Sequence, residues 1–322
     1  MKLLALTSAA LAAALLLSRP AAAVDNLTIG VATGSIFTTL DVGEAAGIWA
    51  RQNLKIKTVV VDGEAPMDKG LASGDLDGVV GGGNSMAFRL KGLQDVAVAE
   101  VLGPPYDFAL TVAYDSPIKS VAGLKGKTVA VTSKGSTTDF LVHLLSQAEG
   151  WGSDGMNTVG LGSTRARLSA LGSGDVQAMM TTPELGYDSE EHKGSRVLVL
   201  LGDEVKGFLS HTILFRTEIV DKHPELVQRF LQGWFQTVAW MKVPENKAKA
   251  LPIVAKSLGI SETAAGRSYD AEMLHLSPDG AFVKAEVDAI AASMPAFGLL
   301  DRVPKDEELY TSKFVPVKGT AP

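Results

Sequence analysis

Residues 71–80 read LASGDLDGVV, and residues 171–180 read LGSGDVQAMM. The two stretches align without a gap at an offset of one hundred positions and share Leu, Ser, Gly and Asp at matching places. The same offset places the strand-like run 27–32 over 127–132, and 59–61 over 159–161. Composition alone gives any two α/β segments some matches in Leu, Gly and Val. Because three separate positions keep one offset, however, we interpret the chain as two structurally equivalent halves.

Each half shows the pattern of an α/β unit. The strand-like runs are short, β-branched and bounded by Gly and Ser, which is typical of buried strands in a parallel sheet. Helical periodicity extends from about Asp41 to Gln52 in the first half and from about Thr138 to Ala148 in the second. The sequence therefore predicts strand, helix, strand, helix, strand in each half, as two βαβαβ lobes.

The predicted strand ends indicate where a ligand binds. Open parallel sheets bind ligands outside the carboxyl ends of their strands, where helix N-termini present N–H groups. In this sequence those ends are rich in Gly, Ser and Thr, and they comprise residues 33–38, 62–64, 81–85, 133–138, 162–165 and 181–184. The last segment contributes Thr182 and Glu184. Lys134 and Arg165 favour an anionic ligand, whereas Glu184 favours an amine or a hydroxyl, so the charge of the ligand stays open.

Two segments are predicted to cross between the lobes. Residues 103–107 (GPPYD) break the first lobe, and the apolar run 108–113 leads into the second. Residues 207–215 again look extended and lead into a long helix after Pro224. We therefore assign residues 24–107 and 208–322 to lobe 1 and residues 108–207 to lobe 2. The amphipathic C-terminal part, 244–314, is predicted to pack on lobe 1.

Length and composition are those of a globular protein. The chain has 322 residues, of which 46% are hydrophobic, and a length of this size predicts two domains. Its 36 acidic residues exceed its 30 basic ones, for a net charge of −6. Nucleic acids and anionic membranes need a surplus of Lys and Arg, so the charge argues against either partner.

The N-terminus has the pattern of a cleaved secretory signal. Lys2 precedes an apolar run from Leu3 to Leu17, and Ala21 to Ala23 form an A-x-A cleavage site. Cleavage after Ala23 removes Lys2 and Arg19 and no acid, which changes the net charge from −6 to −8. The chain has no Cys, which excludes a disulfide framework and a lipid-bearing Cys. We predict a protein of the Gram-negative periplasm.

A family resemblance adds to this interpretation. Residues 116–131 read SPIKSVAGLKGKTVAV and are followed by Gly135-Ser136-Thr137-Thr138. This string resembles the interlobe segment of ABC-transporter substrate-binding proteins of the nitrate/sulfonate/taurine type, and the likeness extends to 71–77 and 222–227. The resemblance implies a type II periplasmic binding protein fold, an α/β architecture of two lobes joined by two crossovers with a ligand cleft between them.

The resemblance also implies which residues face the ligand. They lie at the ends of predicted strands or the start of a predicted helix: Ser35, Ile36, Phe37, Asn84, Ser85, Ser136, Thr137 and Thr138. Phe37 and Tyr106 are our candidates for apolar contact. Nitrate, sulfonate, aromatic acid and pyrimidine-like ligands all stay open.

We therefore predict the periplasmic solute-binding component of an ABC importer, which holds a small solute, with an anion favoured, by closing its lobes. The expected partner is an ABC permease in the inner membrane, and the chain is expected to be a monomer without cofactor or metal. Two alternatives stay open: an enzyme on the same two-lobed fold, and a periplasmic sensing subunit that presents its ligand to a membrane-bound kinase.

Motifs for catalysis are weak. The five His residues show neither HxH nor HExxH spacing, and we expect them to be surface or capping residues. Residues 150–155 fit GxGxxG but follow a helix, whereas a dinucleotide site requires a preceding strand. Gly126-Lys127-Thr128 lacks the earlier Gly of a phosphate-binding loop, and no GxSxG motif is present.

Overall fold

The computed structural model describes residues 24–61, 63–296 and 298–319. The predicted signal peptide, residues 1–23, lies outside these ranges. Two five-stranded sheets form the frame of the molecule. The first sheet contains β1 (Asp25–Val31), β2 (Leu54–Val60), β3 (Gly78–Gly82), β4 (Asp95–Leu102) and β10 (His211–Arg216). The second contains β5 (Ala109–Ala113), β6 (Thr128–Val131), β7 (Asn157–Gly160), β8 (Ala178–Thr181) and β9 (Ser195–Leu200).

The two sheets have the same topology. Their strand orders are β2-β1-β3-β10-β4 and β7-β6-β8-β5-β9. In each sheet one strand runs antiparallel between two others, and the chain reaches that strand from the other sheet: β5 follows β4, and β10 follows β9. We call each sheet with the helices that pack on it a lobe. The two predicted crossovers are thus confirmed, while the lobe boundaries at 107/108 and 207/208 stay a prediction.

The strand register confirms the offset of one hundred residues. In the first lobe Thr28 pairs with Lys57 and Ile29 with Gly78. In the second lobe Thr128 pairs with Asn157, and Val129 with Ala178. A slip of one residue would turn each strand's buried face outward, so an identical register shows that both halves are built on the same plan.

The repeated Ser-Gly-Asp stretch forms the same turn in both lobes. Gly74 and Gly174 have φ of 80° and 83°, in the left-handed region that favours glycine at a helix C-terminus. The hydroxyl of Ser73 donates to Asp75 at 2.7 Å, and that of Ser173 donates to Asp175 at 2.6 Å. Each turn returns the chain from its helix into the next buried strand.

Helices cover both sheets. In chain order they are α1 (Thr39–Ala45), α2 (Ile48–Arg51), α3 (Glu64–Ser73), α4 (Met86–Arg89), α5 (Thr137–Ala148), α6 (Thr164–Ser173), α7 (Pro183–Glu191), α8 (Leu201–Glu204), α9 (Thr217–Lys222), α10 (Pro224–Lys242), α11 (Pro244–Leu258), α12 (Glu262–Met273), α13 (Lys284–Ala296) and α14 (Asp306–Leu309). Short 3₁₀ turns cover Ser35–Thr38, Gly83–Ser85 and Val121–Leu124. Within the described residues no helix combines the length and apolar character needed to cross a membrane.

The C-terminal helices pack mainly on the first lobe. The predicted stripe of α10, from Val227 to Met241, lies in the core, and both α10 and α11 contact α1. The prediction was incomplete for α12, which also contacts α7 of the second lobe. The hydroxyl of Ser261 donates to Glu191 at 2.8 Å across this contact. The lobes therefore touch through α7 and α12 as well as through the crossovers.

Candidate functional site

A cleft lies at the carboxyl-terminal edges of the parallel strands, where both crossovers pass. An inner cavity of about 110 Å³ adjoins a side cavity of about 100 Å³ and a wider mouth of about 600 Å³. The inner and side cavities share residues from both lobes: Ala32, Phe37, Phe108, Thr132, Thr138 and His211. The inner cavity and the mouth share Ala32, Thr33, Thr132, Thr164, Arg167 and Leu185. This is where open α/β sheets bind their ligands.

Most of the predicted site residues line this cleft. Those in the inner cavity are Ser35, Ile36, Phe37, Thr138 and Thr182. Ser136 and Thr137, with Thr138, line the side cavity, and Arg165 lines the mouth. The structure thus brings eight predicted residues from four chain segments to one place.

Four predicted residues lie elsewhere. Asn84 and Ser85 are buried beneath the side cavity's strand ends, and Asn84 accepts a hydrogen bond from Thr137 of the other lobe at 2.7 Å. Tyr106 stacks on His275 at 3.7 Å between ring centroids and lines none of the three cavities. Glu184 is fully buried behind the cavity wall. The geometry therefore does not support direct ligand contact by these four residues.

His211 forms an aromatic wall of the inner cavity. Its ring stacks on Phe108 at 5.7 Å and meets Phe37 edge-on at 5.3 Å. Its Nδ1 lies 2.8 Å from Asp107 Oδ2, and the Ser210 hydroxyl donates to Asp107 Oδ1 at 2.7 Å. Because Asp107 holds Nδ1, Nε2 is the ring nitrogen left for a ligand.

The expectation that each His is a surface or capping residue was wrong for His211. His192 and His223 are exposed and do lie at helix ends. His211 instead begins β10 and is only 5% exposed. It is buried because the second crossover enters the first sheet beside the first crossover, which brings it against Asp107 and Phe108.

Arg167 places a buried positive charge in the inner cavity. It is 5% exposed, and it is the only buried Lys or Arg among the described residues. Its guanidinium donates to the carbonyl of Met180 at 2.9 Å and to the hydroxyl of Thr164 at 3.0 Å. Arg165 is two residues earlier on α6, so it points away from Arg167 and remains exposed at the mouth.

The N-terminus of α5 carries its own negative charge. Asp139, in its first turn, accepts from the Gly135 N–H at 2.8 Å and from the Thr158 hydroxyl at 2.5 Å. Burial raises the pKa of Asp139, but hydrogen bonds with His143, Gly135 and Thr158 outweigh it, so the pKa falls to about 2. Lys134, expected to favour an anionic ligand, instead forms an ion pair with Asp139 at 3.7 Å. This helix end is therefore already neutralised.

Ser35 is held by two acids from different lobes. Its N–H donates to Glu184 Oε1 at 2.9 Å, and its hydroxyl donates to Glu272 Oε2. Burial is the main cause that raises the pKa of both carboxyls. The polar groups of Ser35 are thus engaged by the protein itself, although the residue lines the inner cavity.

The cleft residues that sequence reasoning missed include Asp107, Phe108, Arg167 and His211. Asp107, Phe108 and His211 lie on the two predicted crossovers, and that position was itself a usable signal. Arg167 lies inside a helix rather than at a strand end, so a search of strand ends does not find it.

A family model described as NMT1/THI5 like matches residues 36–247, about two-thirds of the chain. The chain belongs to the NMT1/THI5-like family. The match spans both crossovers and all cleft residues named above except Ala32, Thr33 and Ser35.

This NMT1/THI5-like protein is similar in sequence to a bacterial binding protein. A Bacillus subtilis (strain 168) protein named as an aliphatic sulfonates-binding protein is 29% identical over 203 residues, 62% of this chain and 60% of that protein. The matched region thus spans about three-fifths of that curated relative.

Two solved structures share the fold. The alkanesulfonate-binding protein of Xanthomonas axonopodis pv. citri, solved with MOPS bound, has a TM-score of 0.72 and 19% identity, covering 94% of this chain and 99% of its own. The periplasmic aliphatic sulphonate binding protein of Escherichia coli has a TM-score of 0.71 and 23% identity, covering 89% and 92%. The predicted family resemblance and the two-lobed periplasmic binding protein fold are confirmed.

Within the described ranges, no cluster of three His, Asp or Glu side chains is suited to a metal ion.

Proposed function

We propose that this chain is the periplasmic solute-binding component of an ABC importer and that it binds a small anionic solute, with a sulfonate as the first candidate. The names of the relatives support the class. The observation that carries the proposal is the buried guanidinium of Arg167 in the wall of the inner cavity. A guanidinium in a cavity wall attracts an anion, and charge-assisted hydrogen bonds to an anion are stronger than neutral ones.

The surroundings of Arg167 suit the oxygens of a small anion. Thr181 also lines this cavity, and its buried hydroxyl has no hydrogen-bond partner in the described part of the chain. His211, whose Nδ1 lies 2.8 Å from Asp107 Oδ2, leaves Nε2 for a polar contact with the solute. The rings of Phe37 and Phe108 would contact the apolar part of the solute. An inner and a side cavity of about 110 and 100 Å³ limit the solute to a short one.

Binding is proposed to act by lobe closure. The hinges are the crossovers near Tyr106 and Phe208, so that residues 24–107 and 208–322 move as one lobe against residues 108–207. A solute that contacts both lobes binds the closed form more tightly and shifts the population toward it. A permease of the inner membrane would then recognise the closed monomer. The predicted signal peptide and the periplasmic relatives support this location.

A thermal-shift screen tests the proposal on the mature chain, residues 24–322. The panel contains nitrate, alkyl and aromatic sulfonates, aromatic carboxylates, amines and pyrimidines. A solute at 100 times its Kd stabilises the folded state by about 2.7 kcal/mol, enough to raise Tm by a few degrees. We expect sulfonates to give the largest shift, and a response confined to amines or pyrimidines would refute the anion assignment.

An enzyme on the same fold is the second candidate, and the Asp107–His211 pair favours it. A His whose Nδ1 is held by a buried carboxylate is also the arrangement of a general base. The two functions differ in the fate of the solute. Incubation with the protein followed by mass spectrometry returns a transported solute unchanged, whereas an enzyme converts it.

A further inference from the structure

Two buried carboxyl groups meet where the lobes touch. Glu184 lies in the first turn of α7 in the second lobe, and Glu272 lies near the end of α12, which packs on the first lobe. Both side chains are fully buried. Both bind Ser35, which follows β1 of the first lobe, through its N–H and its hydroxyl. Separation of the lobes must therefore break the bond between Glu184 and Ser35.

The second oxygens of the two carboxyls face a shortage of donors. Among the described residues no group hydrogen-bonds to Glu184 Oε2 or Glu272 Oε1 with normal geometry. The nearby Thr182 hydroxyl and the Glu184 N–H lower the pKa of Glu184, but burial outweighs them. The two carboxyl groups interact directly with each other. Two ionised carboxylates in contact in a buried space repel each other strongly, and a proton held by one of them turns the contact into a hydrogen bond.

The charged side chains described around the pair make contacts of their own. Burial is the main cause that raises the pKa of both groups, and the charge of Asp107 raises it further. His211 is bonded to Asp107 rather than to the glutamates. Arg267 lies over the Tyr187 ring at 3.9 Å and forms an ion pair with Glu190 at 3.6 Å. Other titratable groups on the surrounding elements include Tyr269, whose hydroxyl donates to the carbonyl of Met241, and Lys242, which donates to the carbonyl of Leu276. Asp203 accepts from Tyr106, Asp188 and Glu191 of α7 accept from Ser261, and Asp270 of α12 forms an ion pair with Lys247.

We propose that Glu184 and Glu272 form an interlobe contact that assembles with a bound proton, so that closure of the lobes is coupled to proton uptake. In the separated lobes water solvates both carboxyls, and each loses its proton near the ordinary Glu pKa of about 4.3. In the closed form the pair retains a proton to higher pH. The ratio of closed to open protein is therefore highest below about pH 4.3 and decreases as the pH rises above that value. For one proton, the ratio of closed to open protein falls by up to about tenfold per pH unit in that range.

A distance measurement without solute tests this coupling, so its outcome is independent of the proposed solute-binding function. Because the chain has no Cys, a double variant with Lys69→Cys and Ser169→Cys can be labelled at these two positions alone. The two spin labels then lie at exposed positions of α3 and α6, on opposite sides of the mouth. We expect pulsed electron paramagnetic resonance to show the short-distance population decreasing from pH 5 to pH 8. An unchanged distance distribution over this range would overturn the proposal.

Glu184→Gln supplies the decisive variant. The amide keeps an oxygen for the Ser35 N–H and adds an N–H that can donate to Glu272, so it substitutes for the proton. We expect this variant to show the short distance at pH 8 as well as at pH 5, and Glu272→Gln to behave in the same way. The matched control is Glu286→Gln, since Glu286 pairs with the buried Glu100 within the first lobe and burial also raises the pKa of both. The control should follow the wild type; Gln variants at 184 and 272 that also follow it would refute the role of the pair.

Discussion

The two lobes share their backbone plan but differ in the side chains that they place at equivalent positions of the cleft. Met67 and Arg167 occupy the same position of α3 and α6 at the offset of one hundred residues. Both are 5% exposed, and both line the cleft, Met67 at the side cavity and Arg167 at the inner cavity. The sheets and turns repeat in register while the cleft side chains do not. The repeat therefore builds the frame, and single substitutions on it create an apolar side and a charged side of the cleft.

The largest expected effect comes from making the two sides alike. Arg167→Met gives the second lobe the residue of the first and removes the buried charge. We expect the affinity for the best sulfonate of the screen to fall by about 2 to 5 kcal/mol, which is about thirtyfold or more in Kd by titration calorimetry. Arg165→Met, exposed on the same helix, is the control and should change Kd by less than about threefold. Equal losses in both variants would contradict the assignment.

A second contrast lies at the start of the equivalent helices, where Asp139 in α5 corresponds to Thr39 in α1. The Asp139 pKa of about 2, below its ordinary value of 3.8, means that its ionised form stabilises the fold by about 2 kcal/mol at neutral pH. Asp139→Asn should lose that free energy of unfolding at pH 7, and the difference should shrink as the pH falls from about 5 to about 2.

Urea unfolding at several pH values measures this effect. Thr39 cannot ionise in this range, so Thr39→Ser should change the free energy of unfolding by an amount that does not depend on pH. A deficit in Asp139→Asn that stays constant down to pH 2 would show that the carboxylate charge is not what stabilises this helix end.

The repeated turn predicts equality instead of contrast. Gly74→Ala and Gly174→Ala each force a side chain into the left-handed region, and each should lower the free energy of unfolding by about 1 to 2 kcal/mol. A Cβ at Gly74 would come within 2.6 Å of the guanidinium of Arg216, which would have to shift, and one at Gly174 would meet nothing within 4 Å. Thermal unfolding of the two variants should therefore give similar losses, and a neutral result at one position would break the equivalence of the halves.

The smallest expected effect concerns the hydrogen bond from Thr137 to Asn84 between the lobes. Thr137→Ala removes this hydrogen bond and should lower the stability of the contact between the lobes by about 0.5 to 1.5 kcal/mol. Solute affinity should then fall by less than about tenfold. Thr137→Ser keeps the hydroxyl and should retain the wild-type Kd. If Thr137→Ala lowered affinity as much as Arg167→Met, the side cavity rather than the inner one would hold the charged group.

The frame was predictable because its signals are local and periodic. Strand-like runs, the Ser-Gly-Asp turns and the constant offset predict the parallel strands of both sheets, and the segments 103–113 and 207–215 predict both crossovers. That β5 and β10 each insert as an antiparallel strand was not predicted. The site was predictable only where it coincides with strand ends, as at Ser35 and Thr138. Arg167 depends on which face of α6 turns inward, and the contact of Asp107 with His211 joins residues about a hundred positions apart. Tyr106 lies on the same crossover as Asp107, but its ring stacks on His275 instead of lining the cleft. Local sequence does not determine this orientation.

The most direct measurement is a crystal structure of the mature chain with the sulfonate that gives the largest thermal shift. The account predicts the anionic group within hydrogen-bond distance of the Arg167 guanidinium in the inner cavity, with the apolar part against Phe37 and Phe108. A sulfonate bound at the mouth beside Arg165, or at a site outside the cleft, would contradict it.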